Sequence, residues 1–276
     1  MATKPKMEVR TWEEDMAKAA NVAGKSEAKL VERPFFSLGS GQVKLQGAIL
    51  PGAQAPMIVL DHIHTNLYYQ GVYDPNTIVP PDCYAFGRAD DEGNIIGVDT
   101  WDGRKEMAPH KDCTTRVSDQ CEGCPMNEFK SARLGQGKAC QNTRRLGVIA
   151  GGTMSGDKFT PFTKPEQIEN ATVAYAKVPA TSGKTFGKFV KDTAEALSRP
   201  LWGVFTLLKV VPNTKAVPSH ILAFENLGLV SNNLMPAVFE KQKAVAADLA
   251  FPFAPRSNAA PDPKAKGKKA PARRYT

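Results

Sequence analysis

The cysteines of this chain constrain its fold more than any other feature. All five lie between positions 83 and 140 of a 276-residue sequence, and scattered core cysteines would not cluster in this way. Cys121 and Cys124 are two residues apart, a spacing at which one turn can hold a metal ion through two thiolates. Gly123 lets that turn curl and Pro125 ends it. Cys140 then adds a third thiolate after a glycine-rich loop.

These three cysteines predict a tetrahedral zinc site that needs one more ligand. The candidates for the fourth ligand are Cys83, Cys113 and His110. Two other interpretations are a disulfide and a redox-active pair, but a redox motif opens a helix after a strand, whereas this pair stands in a polar run. The N-terminal residues contain no apolar export signal, so we expect reduced thiols, which favour metal. No acid–base pair stands nearby, so the expected site is closed and structural.

The positive charge of the chain is unevenly distributed. The formal net charge is +8, yet residues 255–276 hold seven Lys and Arg against one Asp. This segment is also rich in Pro, Ala and Gly, so it cannot bury enough apolar surface to fold alone. We therefore expect a disordered basic tail that binds polyanions non-specifically, with a solubilising role as the alternative. Within the folded body, residues 104–145 are the basic part.

Short apolar runs separated by Gly and Pro turns begin after Pro34, a pattern typical of a β-barrel or sandwich. His62 and His64 alternate along one run and are expected to share a strand face, as a polar outer surface in preference to a metal site. Two helices are expected, one at about 184–198 with its apolar residues on one face, and one that Asn233 caps and that runs to about 249. The predicted organisation is a helical arm at 1–33, a β-rich domain at 34–254 with a cysteine insertion at about 82–145, and the tail.

Aromatic and basic residues around the cysteines suggest a surface for single-stranded nucleic acid, where rings stack on bases and cations contact phosphates. Core packing is the alternative for each tyrosine. The candidates for stacking are Tyr68, Tyr69, Tyr73, Phe86 and Trp101, and the candidates for charge are Lys130, Arg133, Lys138, Arg144 and Arg145. Neither of the two expected helices is basic, which argues against reading of a DNA duplex.

The sequence contains no Ser-His-Asp order, no HExxH motif and no Rossmann fingerprint, and it has only four histidines. We therefore expect no enzyme activity. No stretch approaches the length of a membrane span, so no membrane partner is expected.

Several short motifs occur together in this chain. They are Phe35-Phe36-Ser37, Pro81-Asp82-Cys83-Tyr84, Cys121-x-x-Cys124, Gly137-Lys138-Ala139-Cys140 and Arg144-Arg145-Leu146. In this combination, over roughly residues 34–230, the chain resembles zinc-containing single-stranded DNA-binding proteins of tailed bacteriophages.

The resemblance implies an α+β fold with an OB-like β-barrel core, one structural zinc with Cys83 as its fourth ligand, and a role in DNA replication, recombination or transcription in the cytoplasm of an infected host. Such proteins usually end in an acidic partner-binding tail, whereas this chain ends in a basic one. The alternative function is a zinc-stabilised transcription or assembly factor that works through protein contacts.

Overall fold

The computed structural model describes Met16 and residues 33–39, 41–71, 79–133, 135–213 and 219–253. The predicted N-terminal arm and basic tail lie almost wholly outside these residues, as does Tyr73, so they stay predictions.

The described residues form twelve strands and three α-helices. The strands are β1 (Phe36–Gly39), β2 (Gln42–Leu45), β3 (Ala48–Ile49), β4 (Gln54–Tyr68), β5 (Cys83–Ala89), β6 (Ile95–Val98), β7 (Gln141–Ala150), β8 (Gly152–Ser155), β9 (Lys158–Pro161), β10 (Ala174–Val178), β11 (Val204–Asn213) and β12 (Ser219–Leu229). The helices are α1 (Pro165–Glu169), α2 (Gly183–Leu197) and α3 (Met235–Asp248).

Strand β4 is the centre of the main sheet. One of its edges pairs with β7 over most of its length, from Met57 to Leu67. Its other edge pairs with β11 near the start of the strand and with β5 near its end. The order is β10-β7-β4-β11-β12, with β5 and β6 continuing from the far end of β4. All of these pairings are antiparallel.

The sequence of β4 explains its central position. The run Met57–Leu60 is continuously apolar and fully buried, as expected for a strand covered on both faces. A register shift between Val59 and Asp61 lies in the middle of its pairing with β7. Such a bulge inserts one residue and re-aims the side chains that follow it.

Two separate cores cover the two faces of the sheet. On the first, which we call the α2 face, Phe186 and Phe189 of α2 pack with the small β1-β2-β3 sheet against Leu146 and Val148. The buried positions of α2 recur at helical spacing, which explains why this stretch is a helix docked by one side. On the second, the α3 face, Val238 and other apolar residues of α3 cover the opposite side of the strands.

The prediction of an α+β fold with a few peripheral helices is confirmed, and the sheets are mostly antiparallel. The described strands close no barrel, so the OB-like architecture is not confirmed. Within the same residues there is no helix with the length and apolar character needed to span a bilayer.

Alanine substitutions at two glycines test the packing of α3 on the sheet. A Cβ on Gly147 of β7 would lie 2.3 Å from Cγ1 of Val245, whereas a Cβ on Gly187 of α2 would meet nothing within 4 Å. We expect Gly147→Ala to lower the free energy of unfolding by about 1–3 kcal/mol through overpacking. Gly187→Ala should raise it by about 0.4–1 kcal/mol, since it restricts the unfolded chain without strain. Urea unfolding of both variants measures this, and the same sign for both would contradict the packing described.

Candidate metal centre and nucleic-acid interface

The cysteine loops connect β6 to β7 and are built on one end of the sheet. Gly123 has a left-handed φ of 69°, and Pro125 opens a 3-10 turn at Pro125–Asn127. The backbone N–H of Asn127 donates to the carbonyl of Cys124 at 2.8 Å, and that of Cys140 donates to Met126 at 2.7 Å. The turn at Cys121–Cys124 thus curls and stops as its sequence predicts, and it brings Cys140 alongside.

Amide side chains fasten these loops to the sheet. Asn142 of β7 donates to Oδ1 of Asn66 on β4 at 2.5 Å and to Oδ1 of Asn127 at 3.1 Å. Asn127 in turn donates to the carbonyl of Cys121 at 2.9 Å. The sequence analysis did not single out these asparagines, because their partners are distant in the chain. They position the cysteine turn on the α2 face of the sheet.

Four cysteines line one pocket, and they are the four predicted as zinc ligands. Cys83, Cys121, Cys124 and Cys140 surround a cavity of about 20 Å³, which has room for a single guest of water size. Cys113 does not line this pocket. It lies beside it and shares a hydrogen bond with Cys83.

The thiols are neighbours without yet forming a coordination sphere. Among the described residues, no three His, Cys, Asp or Glu side chains are placed so that they could already hold a metal ion. The donor set nevertheless fits zinc, since four cysteines are a common structural set for this ion. The pocket size and the donor chemistry therefore fit a metal ion.

Burial keeps most of these thiols protonated. It raises the pKa of Cys140 to about 12, with Cys121 and Cys124 adding to the rise. The pKa of Cys121 is also raised by burial, against a hydrogen bond to Asn66. The hydrogen bond that Cys83 shares with Cys113 lowers the pKa of Cys113 to about 6 and raises that of Cys83. Without a cation, the neighbouring thiolates oppose one another.

His110, the third candidate for the fourth ligand, lies in the core. It is 1% exposed and stacks on Tyr84 with ring centroids 5.3 Å apart. Its Nδ1 accepts a hydrogen bond from the N–H of Asp112 at 3.1 Å. Burial lowers the pKa of His110. It does not line the cysteine pocket.

The basic candidates lie on the cysteine loops or on β7 directly after them, and all but one keep some exposure. Lys130 and Arg133 are exposed, and Lys138 and Arg144 are half-buried. Nζ of Lys138 lies 3.4 Å from Oδ1 of Asn127. In the part of the chain that the structure describes, none of these four cations forms an ion pair with a carboxylate.

Arg145 is the exception, and its prediction as a nucleic-acid contact is wrong. The side chain is 4% exposed and donates from Nη1 to the carbonyls of Leu249 at 3.0 Å and Phe251 at 2.7 Å. Its guanidinium lies over the rings of Phe251 and Phe253. Burial lowers the pKa of Arg145 to about 9, and its Nη2 has no partner among the described residues. It faces the α3 core and holds the residues that follow α3 on the sheet.

Phe86 is the second correction. It is 0% exposed, and its ring packs against His110, Tyr84 and Phe253. A fully buried ring has no exposed face on which a nucleobase could stack. Phe86 lies on β5 and points into the α3 core.

The remaining aromatic candidates do not share one location: Tyr68 lies at the cysteine pocket and Tyr69 at the α3 core. Tyr68 is half-buried and lines the cysteine pocket. Tyr69 packs at the margin of the α3 core, where burial and then Asp82 raise its pKa. Trp101 is half-buried; its Nε1 donates to the carbonyl of Asp119 at 3.1 Å, and Arg116 lies 4.7 Å above its ring. Tyr68 and Tyr69 therefore do not form one platform.

His62 and His64 lie on the α2 face, as their alternation predicts. His62 meets the ring of Phe186 edge-on at 5.3 Å, and His64 pairs across the strands with Arg144. Both are half-buried. Burial lowers both pKa values, that of His64 to about 4 with Arg144 contributing, so both imidazoles are neutral at pH 7. Together with Asn66 and Asn142 these three residues form what we call the polar strip, in which Arg144 carries the positive charge.

Phe129 is an exposed aromatic residue outside the predicted set. It lies in the loop between Cys124 and Cys140 and is 73% exposed. The available signal was a lone aromatic residue in a polar, glycine-containing and basic run.

Comparisons with protein-family models, with curated proteins and with solved structures find no match to this chain.

Arg144 is half-buried and Arg145 is buried, so alanine substitutions at these two consecutive positions test where the structure places them. Arg145→Ala removes the donor to two buried carbonyls and empties a site between rings, so we expect the free energy of unfolding to fall by about 2–4 kcal/mol. Arg144→Ala, the matched control, should change it by less than about 1 kcal/mol. Urea unfolding followed by circular dichroism measures both. Equal losses for the two variants would contradict the burial of Arg145.

Proposed function

We propose that this chain is a non-enzymatic single-stranded DNA-binding protein whose cysteine loops are held together by one structural zinc ion. The observation that carries the proposal is a set of cations on the cysteine loops and directly after them, Lys130, Arg133, Lys138 and Arg144, which form no ion pair with a carboxylate among the described residues. Cations without carboxylate partners remain available to phosphates, which supply most of the affinity of such proteins for nucleic acid.

The zinc supports this surface by fixing the backbone of the loops. A closed site of four thiolates contributes folding energy and no open ligand position for chemistry. Cys121 and Cys124 come from the turn, Cys140 from the strand entry, and Cys83 from the start of β5. Cys83 is favoured over Cys113 because it lines the pocket with the other three.

The proposed path for the single-stranded DNA runs over the polar strip and the cysteine loops. Arg144 lies on the α2 face between the helix that carries Phe186 and the loop that carries Lys138. Tyr68 and Trp101 are the predicted aromatic residues that keep partial exposure near the loops. An OB-like barrel remains a prediction, and the proposed path needs only one open sheet face. The resemblance to phage proteins suggests replication, recombination or transcription as the process served.

The zinc proposal makes a specific prediction for two cysteines. Protein purified under reducing conditions should contain one zinc per chain by mass spectrometry of the metal. Cys83→Ser should lose most of this zinc, because it removes a pocket ligand, and Cys113→Ser should retain it. Cys113→Ser is the matched control, since it makes the same change in the neighbouring thiol that does not line the pocket. Full zinc in Cys83→Ser together with loss in Cys113→Ser would show that the ligand is Cys113.

The nucleic-acid proposal is tested by the salt dependence of binding. We expect fluorescence anisotropy to show tighter binding to a labelled oligo(dT) than to a duplex hairpin of equal length. Each lost phosphate contact should lower the magnitude of the slope of log K against log salt by about 0.7 for a single strand. Lys138→Gln and Arg144→Gln should each show this change. Lys158→Gln, at the exposed start of β9, is the control and should not.

A variant that lacks residues 255–276 separates the folded body from the basic tail in the same assay. Weakened binding that keeps its preference for single strands supports the proposal. Complete loss of binding, or equal affinity for duplex and single strand, would reject it and favour a factor that acts through protein contacts.

A further inference from the structure

Phe129 is the most exposed large apolar side chain in the described part of the protein. Its exposed fraction is 73%, whereas ten of the thirteen phenylalanines are buried or half-buried. An exposed aromatic ring forgoes the free energy that burial against a partner would provide. Single exposed apolar residues are nevertheless common on protein surfaces. The question is therefore whether the loop around it is built to present the ring.

The loop that carries Phe129 is closed by its own hydrogen bonds. The N–H of Lys130 donates to Gln136 at 3.3 Å, and that of Ala132 donates to Gly137 at 3.2 Å. The hydroxyl of Ser131 accepts from the N–H of Ala139 at 2.9 Å. These bonds join residues 130–132 to residues 136–139, so the two sides of the loop are held together directly after Phe129. The backbone next to the ring is thus hydrogen-bonded, and the ring itself stays exposed.

The surroundings of the ring are cationic. Nζ of Lys138 lies 5.1 Å from the ring centroid, within cation–π range. Lys130 and Arg133 are exposed on the same loop, against the single acid Glu128. Protein interfaces place aromatic anchors in a core that is depleted of charged residues. A lone ring among cations instead suits a flat, anionic partner.

We propose that Phe129 stacks on one unpaired nucleobase while Lys138 contacts an adjacent phosphate. This inference rests on the proposed function and adds to it a binding residue outside the predicted set. Base–aromatic stacking tolerates any sequence, because every base has a π-face. The ring of Phe129 supplies that contact, and the cations of the same loop supply the attraction to the backbone.

The test uses the full-length protein and fluorescein-labelled oligo(dT), with anisotropy measured at several salt concentrations. Phe129→Ala should weaken binding roughly 5- to 150-fold, the loss of one stacked base. The loss should be the same at every salt concentration, because stacking releases no counterions. Phe129→Trp should bind within about threefold of wild type.

Phe239 provides a matched control on another part of the surface. It is 42% exposed on α3, and Nζ of Lys243 lies 4.3 Å from its ring centroid. Phe239 therefore has the same kind of contact with a lysine as Phe129, but it lies far in sequence from the cysteine loops. Phe239→Ala should leave the affinity for oligo(dT) unchanged. An equal loss in both alanine variants would overturn the assignment of the contact to Phe129.

The possible failures are distinguishable. If wild-type protein does not bind oligo(dT), the proposed function falls and this inference falls with it. If wild type binds and Phe129→Ala binds equally well, only the inference is wrong. A second variant, Phe129→Leu, keeps an apolar side chain without a π-face; binding equal to wild type would overturn the stacking role even if the alanine variant loses structure. A loss that appears only as a lower salt slope would also overturn it.

Discussion

The backbone pairing of β4 is the constraint on which the rest of the structure depends. This strand hydrogen-bonds to β7 along one edge and to both β11 and β5 along the other. Its start lies in the apolar cores, and its end carries Asn66 and Tyr68 to the cysteine loops. The pocket therefore has a rigid wall of sheet on one side, and the loops need to be fixed only against that wall.

The parts of the site that are local in sequence could be predicted. The turn at Cys121–Cys124 curls at Gly123 because glycine adopts a positive φ without strain, and this property is visible in the sequence. Alternation likewise places His62 and His64 on one face, since successive strand residues point to opposite sides. In both cases the chemistry lies within a few residues, so no knowledge of the fold is needed.

The errors arose where burial depends on distant residues. Arginine is seldom fully buried, so the sequence favoured exposure for Arg145. Its carbonyl partners come from Leu249 and Phe251, about a hundred residues away, and nothing near it signals them. Phe86 was assigned to a surface for the same reason, because Phe253, which stacks on its ring, lies far along the chain. Phe129 was missed in the opposite sense, since its exposure follows from a loop whose hydrogen bonds are not apparent from composition.

The division of one edge of β4 between two neighbours has a consequence for how the protein opens. Residues 54–57 pair with β11, whereas residues 64–68 pair with β5, so no single partner strand spans both ends of that edge. The hairpin of β5 and β6 can therefore separate from β4 without breaking any bond between β4 and β11. Native-state hydrogen exchange follows such units separately, since each opens with its own free energy. An ion that bound Cys83 together with the cysteines of the loops would slow the exchange of the β5 amides and leave that of the β11 amides unchanged.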